Sequence, residues 1–154
     1  MDRLEFEYSD GGAENEAVPK RSQGCSATAL ANYTRKPYRE CLSLLGGLDA
    51  FGGIDMDSFD KACTLLGIDL VWDEQSRAAG SFSLARAHTK YGDCIAVIGN
   101  DTNVGHITAI RGGLLLDKED WQDRMEREFW RVLALYQTDT APHPMGQGFV
   151  GKLL

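Results

Sequence analysis

Apolar and polar residues alternate in two different periods along this chain, helical in the first half and strand-like in the second. After Gly24, positions Ala27, Leu30, Ala31 and Thr34 recur at helical spacing, which predicts a helix that stops before Pro37 and packs a small-residue face on something flat. Pro37 opens a second short helix through Tyr38, Cys41, Leu42 and Leu45, ended by Gly46-Gly47. Asp55 or Asp57 caps a third, with Phe59, Ala62, Cys63 and Leu66 inward and Gly67 as its stop. Ile68 to Trp72 reads as a strand and Ser81 to His88 as a helix ending near Gly92. From there the pattern is β: Asp93 to Gly99, His106 to Arg111, Leu114 to Asp117 and Phe129 to Gln137, separated by Asn100 to Asn103, by Gly112-Gly113 and by a polar connection from Lys118 to Glu128. Gly112-Gly113 is a two-residue hairpin signal, so the strands on either side of it are antiparallel neighbours. Helices first and an antiparallel sheet second describe an α+β domain.

The ends of the chain read differently. Residues 1–20 are rich in Asp and Glu around Gly11-Gly12, with Leu4 to Tyr8 alternating like an edge strand followed by a mobile, solvated acidic loop. Residues 138–154 form a Pro- and Gly-rich tail containing His143. Between them, residues 21–137 make one domain, and the 43% hydrophobic content is enough for a core.

A net charge of -7 is the wrong sign for following a phosphate backbone, which speaks against nucleic acid as a partner. The longest apolar runs, such as Ile95 to Ile98, fall far short of the roughly 20 residues a membrane span needs, and residues 1–5 lack the features of a secretory signal. No membrane partner and a cytoplasmic location are the expectations. The four cysteines, at 25, 41, 63 and 94, form no CxxC pair and no Cys/His cluster, so reduced thiols are expected, with no metal and no cofactor. Cys41, Cys63 and Cys94 sit at apolar core positions, whereas His88 and His143 read as surface residues.

Cys25 is different, because the Ser22-Gln23-Gly24 turn delivers it onto the first turn of a helix. A helix N-terminus carries unpaired N–H groups and about half a positive charge, which favour thiolate over thiol and can stabilise an oxyanion. His106 lies at the mouth of an apolar strand and Asp117 at the end of the next. Because the hairpin runs back on itself, the chain after Leu116 returns toward His106, so Cys25, His106 and Asp117 can form a nucleophile, base and orienting acid. Each has a plainer reading: a buried thiol, a strand-end histidine, a cap for the segment after Lys118. Trp121 either belongs to the core or walls the cleft and shields the His106–Asp117 hydrogen bond.

The segment from Gly24-Cys25 through Ala31-Asn32-Tyr33-Thr34-Arg35-Lys36-Pro37-Tyr38, with Gly105-His106-Ile107-Thr108-Ala109-Ile110 and Gly112 to Asp117 downstream, resembles the small papain-like cysteine peptidase superfamily, most closely its compact bacterial and phage members. The resemblance spans residues 22–121. It implies a papain-like fold with N-terminal helices packed on a C-terminal antiparallel sheet, residues 21–137 as the catalytic domain, and hydrolysis of peptide or isopeptide bonds in a peptide or protein substrate. In that superfamily an oxyanion-hole glutamine lies about six residues before the cysteine, where this chain has Pro19. Gln23, Ser22 or backbone N–H groups take that role here, or the hole is incomplete. Three functional classes follow: a cysteine hydrolase of peptide, isopeptide, amide or thioester bonds; a degenerate binding or inhibitory module; and a cysteine acyltransferase of transglutaminase type.

Overall fold

The computed structural model describes residues 3–48, 53–74, 83–100 and 105–138. The expected tail beyond 138 with His143, the helix start at Ser81-Phe82 and the connection through Asp101 to Asn103 lie outside them. The described residues form an α+β structure with five helices and one six-stranded sheet. In chain order the elements are β1 (Glu5–Tyr8), α1 (Cys25–Thr34), α2 (Tyr38–Leu44), α3 (Met56–Leu65), β2 (Ile68–Asp73), α4 (Leu84–Tyr91), β3 (Cys94–Gly99), β4 (Gly105–Arg111), β5 (Leu114–Asp117), α5 (Trp121–Glu128) and β6 (Arg131–Thr138). The strand order is β1-β5-β4-β3-β6-β2.

The sheet is mixed, which corrects the all-antiparallel expectation. β1 pairs parallel to β5, with Phe6 opposite Leu115 and Tyr8 opposite Asp117, while every other pairing is antiparallel. A parallel pair needs a long crossover, and everything from α1 to β4 intervenes between these two strands. The turn joining β4 to β5 is as read: Gly112 and Gly113 both have positive φ, 62° and 77°. The Asp93 carboxylate accepts their two N–H groups, at 2.8 and 3.4 Å.

Both faces of the sheet are covered. One core cluster gathers Ala27, Leu30, Tyr38, Phe59 and Cys63 from α1, α2 and α3 against Ile95, Ile107 and Ala109. The other places Leu84 and Ala87 of α4 and Met125 of α5 against Cys94, Ile98, Ile110 and Leu115. β3 is therefore buried along its whole length. α1 is buried from Ser26 through Tyr33, so it is a central helix and not one with a single small-residue stripe. The polar stretch from Lys118 to Glu128 is also not a bare connection. Asp120 accepts from the Gln122 N–H at 3.1 Å and starts α5, whose inner side carries buried Gln122 and Met125.

The acidic segment after β1 is a structural strap, where a mobile loop was expected. Asp10 accepts from the N–H groups of Gly12 and Glu14, and Ala13 and Val18 are in the core. The Glu16 carboxylate accepts from the N–H groups of Tyr38 and Arg39 at 2.6 and 3.0 Å, so it caps α2 from a distance in sequence. Gly11, at φ 72°, lies so close to α1 that a Cβ there would sit 2.9 Å from that of Ala31. Asp55, not Asp57, caps α3, through Ser58 N–H. No helix among the described residues is long and apolar enough to cross a membrane.

Candidate active site

Cys25 is the first residue of α1, and Gly24 before it is extended and brings no side chain to cap the helix. The first bond of the helical ladder runs from Thr28 N–H to Gly24 O at 3.1 Å. The N–H groups of Cys25, Ser26 and Ala27 consequently have no acceptor within the helix. Gly24 is held from α2, its N–H donating to the hydroxyl of fully buried Tyr38 at 3.0 Å. Cys25 itself is half-buried, whereas Cys41, Cys63 and Cys94 are enclosed. Burial pushes the Cys63 and Cys94 thiols up to about 12 and raises that of Cys41.

His106 is the second residue of β4. The hairpin register places Ile110 opposite Leu115 and Ala109 opposite Leu116, which brings the end of β5 toward the start of β4. His106 Nε2–H donates to Asp117 Oδ2 at 2.7 Å. Asp117 is only 3% exposed, and its Oδ1 accepts from Lys118 N–H at 2.7 Å. With Nε2 engaged, Nδ1 is the nitrogen left for Cys25, which lies close enough to this imidazole to raise its pKa. Burial is the largest single influence on His106 and works against the charged ring. The Asp117 and Cys25 hydrogen bonds and charges together outweigh it and raise the pKa from 6.5 to about 9. Trp121 lies flat against the ring, centroids 3.8 Å apart and planes at 16°. It both walls the site and borders the core, since it also packs with the second cluster.

The structure thus brings Cys25, His106, Asp117 and Trp121 together. Comparison with protein-family models, with curated proteins and with solved structures gives no match, so the chemistry of the site has to be read from its own geometry. Among the described residues no three His, Cys, Asp or Glu side chains gather into a group that could hold a metal ion.

The two residues expected at an oxyanion hole precede the thiol in the chain with much of their hydrogen-bonding capacity engaged. Ser22 N–H donates to Pro19 O at 2.8 Å and Gln23 N–H to Lys20 O at 3.1 Å, closing a 3-10 turn over Lys20–Ser22. The Gln23 amide donates one hydrogen to Val18 O at 2.9 Å and accepts from Lys118 Nζ at 3.4 Å, which leaves its second N–H. Ser22, Gln23 and Gly24 N–H all have acceptors, and the N–H of Cys25 is the first in this stretch with none in the turn or the helix.

Four surrounding residues escaped the sequence reading. Tyr38 holds Gly24. Lys118 reaches Gln23. Trp130 packs on Trp121 at 5.2 Å, and the Arg124 guanidinium lies 4.4 Å from the Trp121 ring. The Trp121/Met125 spacing behind Asp120 was a readable signal for α5, and with it for Arg124. Nothing in the local pattern points to Tyr38, 14 residues from Gly24.

Proposed function

We propose that the protein is a papain-like cysteine hydrolase acting on a peptide, isopeptide or related amide or thioester bond of a peptide or protein substrate. One observation carries the reading: a single imidazole is hydrogen-bonded to a buried carboxylate and has a thiol at an uncapped helix N-terminus close enough to raise its pKa. The α+β architecture supports it too, since the helix bearing the thiol packs on the strand bearing the histidine.

In this reading His106 Nδ1 takes the thiol proton and Cys25 Sγ attacks the substrate carbonyl carbon. The carbonyl oxygen becomes an oxyanion facing the Cys25 N–H, with the remaining Gln23 N–H as a second donor. His106 returns the proton to the leaving nitrogen, the C–N bond breaks, and a thioester remains on Sγ. Water, deprotonated by His106, then attacks the thioester carbon, releasing the acid and regenerating the thiol. Asp117 holds the ring in one tautomer and compensates the imidazolium charge, and Trp121 keeps water from their hydrogen bond. Free thiols at all four cysteines suit a reducing, cytoplasmic setting.

The binding-module reading rests on Gln23, held at both ends of its amide by Val18 and Lys118. Limited iodoacetamide labelling with peptide mapping separates the readings. Cys25 is expected to react well ahead of the three buried thiols. Faster modification of Cys41, Cys63 or Cys94 in the folded protein would sink the assignment. Turnover of a peptide library with and without an added amine then distinguishes hydrolysis from acyl transfer.

A further inference from the structure

The protein carries a net charge of -7, yet three cations, Lys20, Arg21 and Lys118, lie within a few residues of Cys25 or Asp117 in the chain. Lys118 directly follows Asp117, the partner of His106, and its ammonium lies 3.4 Å from the Oε1 of Gln23, two residues before the thiol. It therefore ties the segment that carries Asp117 to the segment that carries Cys25. Lys20 and Arg21 are exposed on the 3-10 turn that leads into the same loop. Among the described residues, none of these three is in an ion pair.

Acids close to them in sequence are engaged elsewhere. Glu119 turns to Arg124 at 3.5 Å, Asp120 to Arg3 at 3.3 Å, and Glu16 to the N–H groups of Tyr38 and Arg39. Lys36, by contrast, has an acid partner in Glu40 at 3.4 Å.

We propose that Lys118, backed by Lys20 and Arg21, selects substrates that carry a carboxylate beside the scissile bond. The inference rests on Cys25 being the nucleophile. An incoming carboxylate takes the Lys118 N–H now directed at Gln23 and frees the Gln23 carbonyl. A solvent-exposed charge beside the reacting residues is worth roughly threefold in rate or affinity, because solvent screens it.

The test compares alkylation of Cys25 by iodoacetate and by iodoacetamide, which differ in charge. Lys118→Gln is expected to lower the iodoacetate-to-iodoacetamide rate ratio roughly threefold and Lys118→Glu further, both effects shrinking at high salt, while Lys36→Gln leaves the ratio unchanged. An unchanged ratio in Lys118→Gln would overturn the inference. So would an equal slowing of both reagents, since Lys118 would then act only by holding Gln23. Failure of iodoacetamide to prefer Cys25 over the buried cysteines would instead remove the nucleophile and the inference with it. Peptides bearing acidic or neutral residues at the scissile bond, each with a free or amidated C-terminus, identify the source of the carboxylate. A KM increase in Lys118→Gln confined to acidic side chains or to free termini supports one source or the other, and a uniform KM change across the set counts against both.

Discussion

α1 and β4 lie side by side in the same direction, so Cys25 and His106 meet at one end while Tyr33 and Arg111 meet at the other. At the far end the helix is closed. The Arg111 guanidinium donates to Tyr33 O, Thr34 Oγ1 to Leu30 O at 2.6 Å, and Arg35 takes up a left-handed cap with its N–H on Ala31 O at 2.8 Å. At the near end the cap residue is a glycine and three N–H groups are left open. One helix thus satisfies its polar groups where it needs stability and leaves them available where a thiol and an imidazole come together.

The sharpest way to break this comparison is to remove a reacting group. Cys25→Ala and His106→Ala are each expected to lower turnover of a peptide substrate by at least about 10³-fold, and the double variant no further, because groups that act as a unit are not additive. Asp117→Asn is expected to cost less, since the imidazole remains. Steady-state kinetics on the four proteins decides it, and additive losses would separate His106 from Cys25.

Between the two ends, the middle of the helix tests scaffold against chemistry. Leu30 is completely buried, so Leu30→Ala is expected to cost about 2 to 5 kcal/mol in urea melts. Cys25→Ala, at a half-buried first-turn position, is expected to stay within about 1.5 kcal/mol. The reverse order would make Cys25 a core residue.

The near end also has a pH signature. The His106 pKa is raised from 6.5 to about 9, so the stabilisation is complete below 6.5 and is lost as pH rises through 9. Wild-type protein is expected to lose up to about 3 kcal/mol across that window, and His106→Asn to lack that loss. Parallel urea melts at the two ends of the window measure it. A wild-type stability that is flat there would mean that the imidazolium is not held by Asp117 and Cys25.

The smallest effect belongs to the far end. Arg111→Met leaves Tyr33 O without its charged donor and is expected to cost about 1 kcal/mol, with the rate of Cys25 alkylation within about twofold of wild type. A large loss of thiol reactivity would show that the two ends are coupled through α1.

Local chemistry made much of this legible in advance. The Gly24-Cys25 helix start, an aspartate cap at 55 or 57, the Gly112-Gly113 hairpin and the placement of Asp117 near His106 each depend on residues within a turn or a two-residue loop, where φ, capping and register are decided by neighbours. The errors arose where the partner is remote. β1 lies parallel to β5 because the chain returns to it after more than 100 residues, and no period in Leu4 to Tyr8 records the direction of a neighbour. The acidic segment read as solvated because charge was all that could be seen. Its Glu16 acquires a purpose only when the N-terminus of α2 arrives beside it.

The same division runs through the site. The sequence by itself determined that Cys25 would begin a helix, that the other three thiols would sit among apolar residues, and that a hairpin would carry His106 and Asp117 toward each other. Only the tertiary structure decided that the imidazole would face the thiol with Trp121 flat against it, that Tyr38 would hold Gly24, and that Lys118 would reach Gln23. Those contacts join segments far apart in the chain, and they exist because the sheet buries both of its faces and so sets where each helix end must lie.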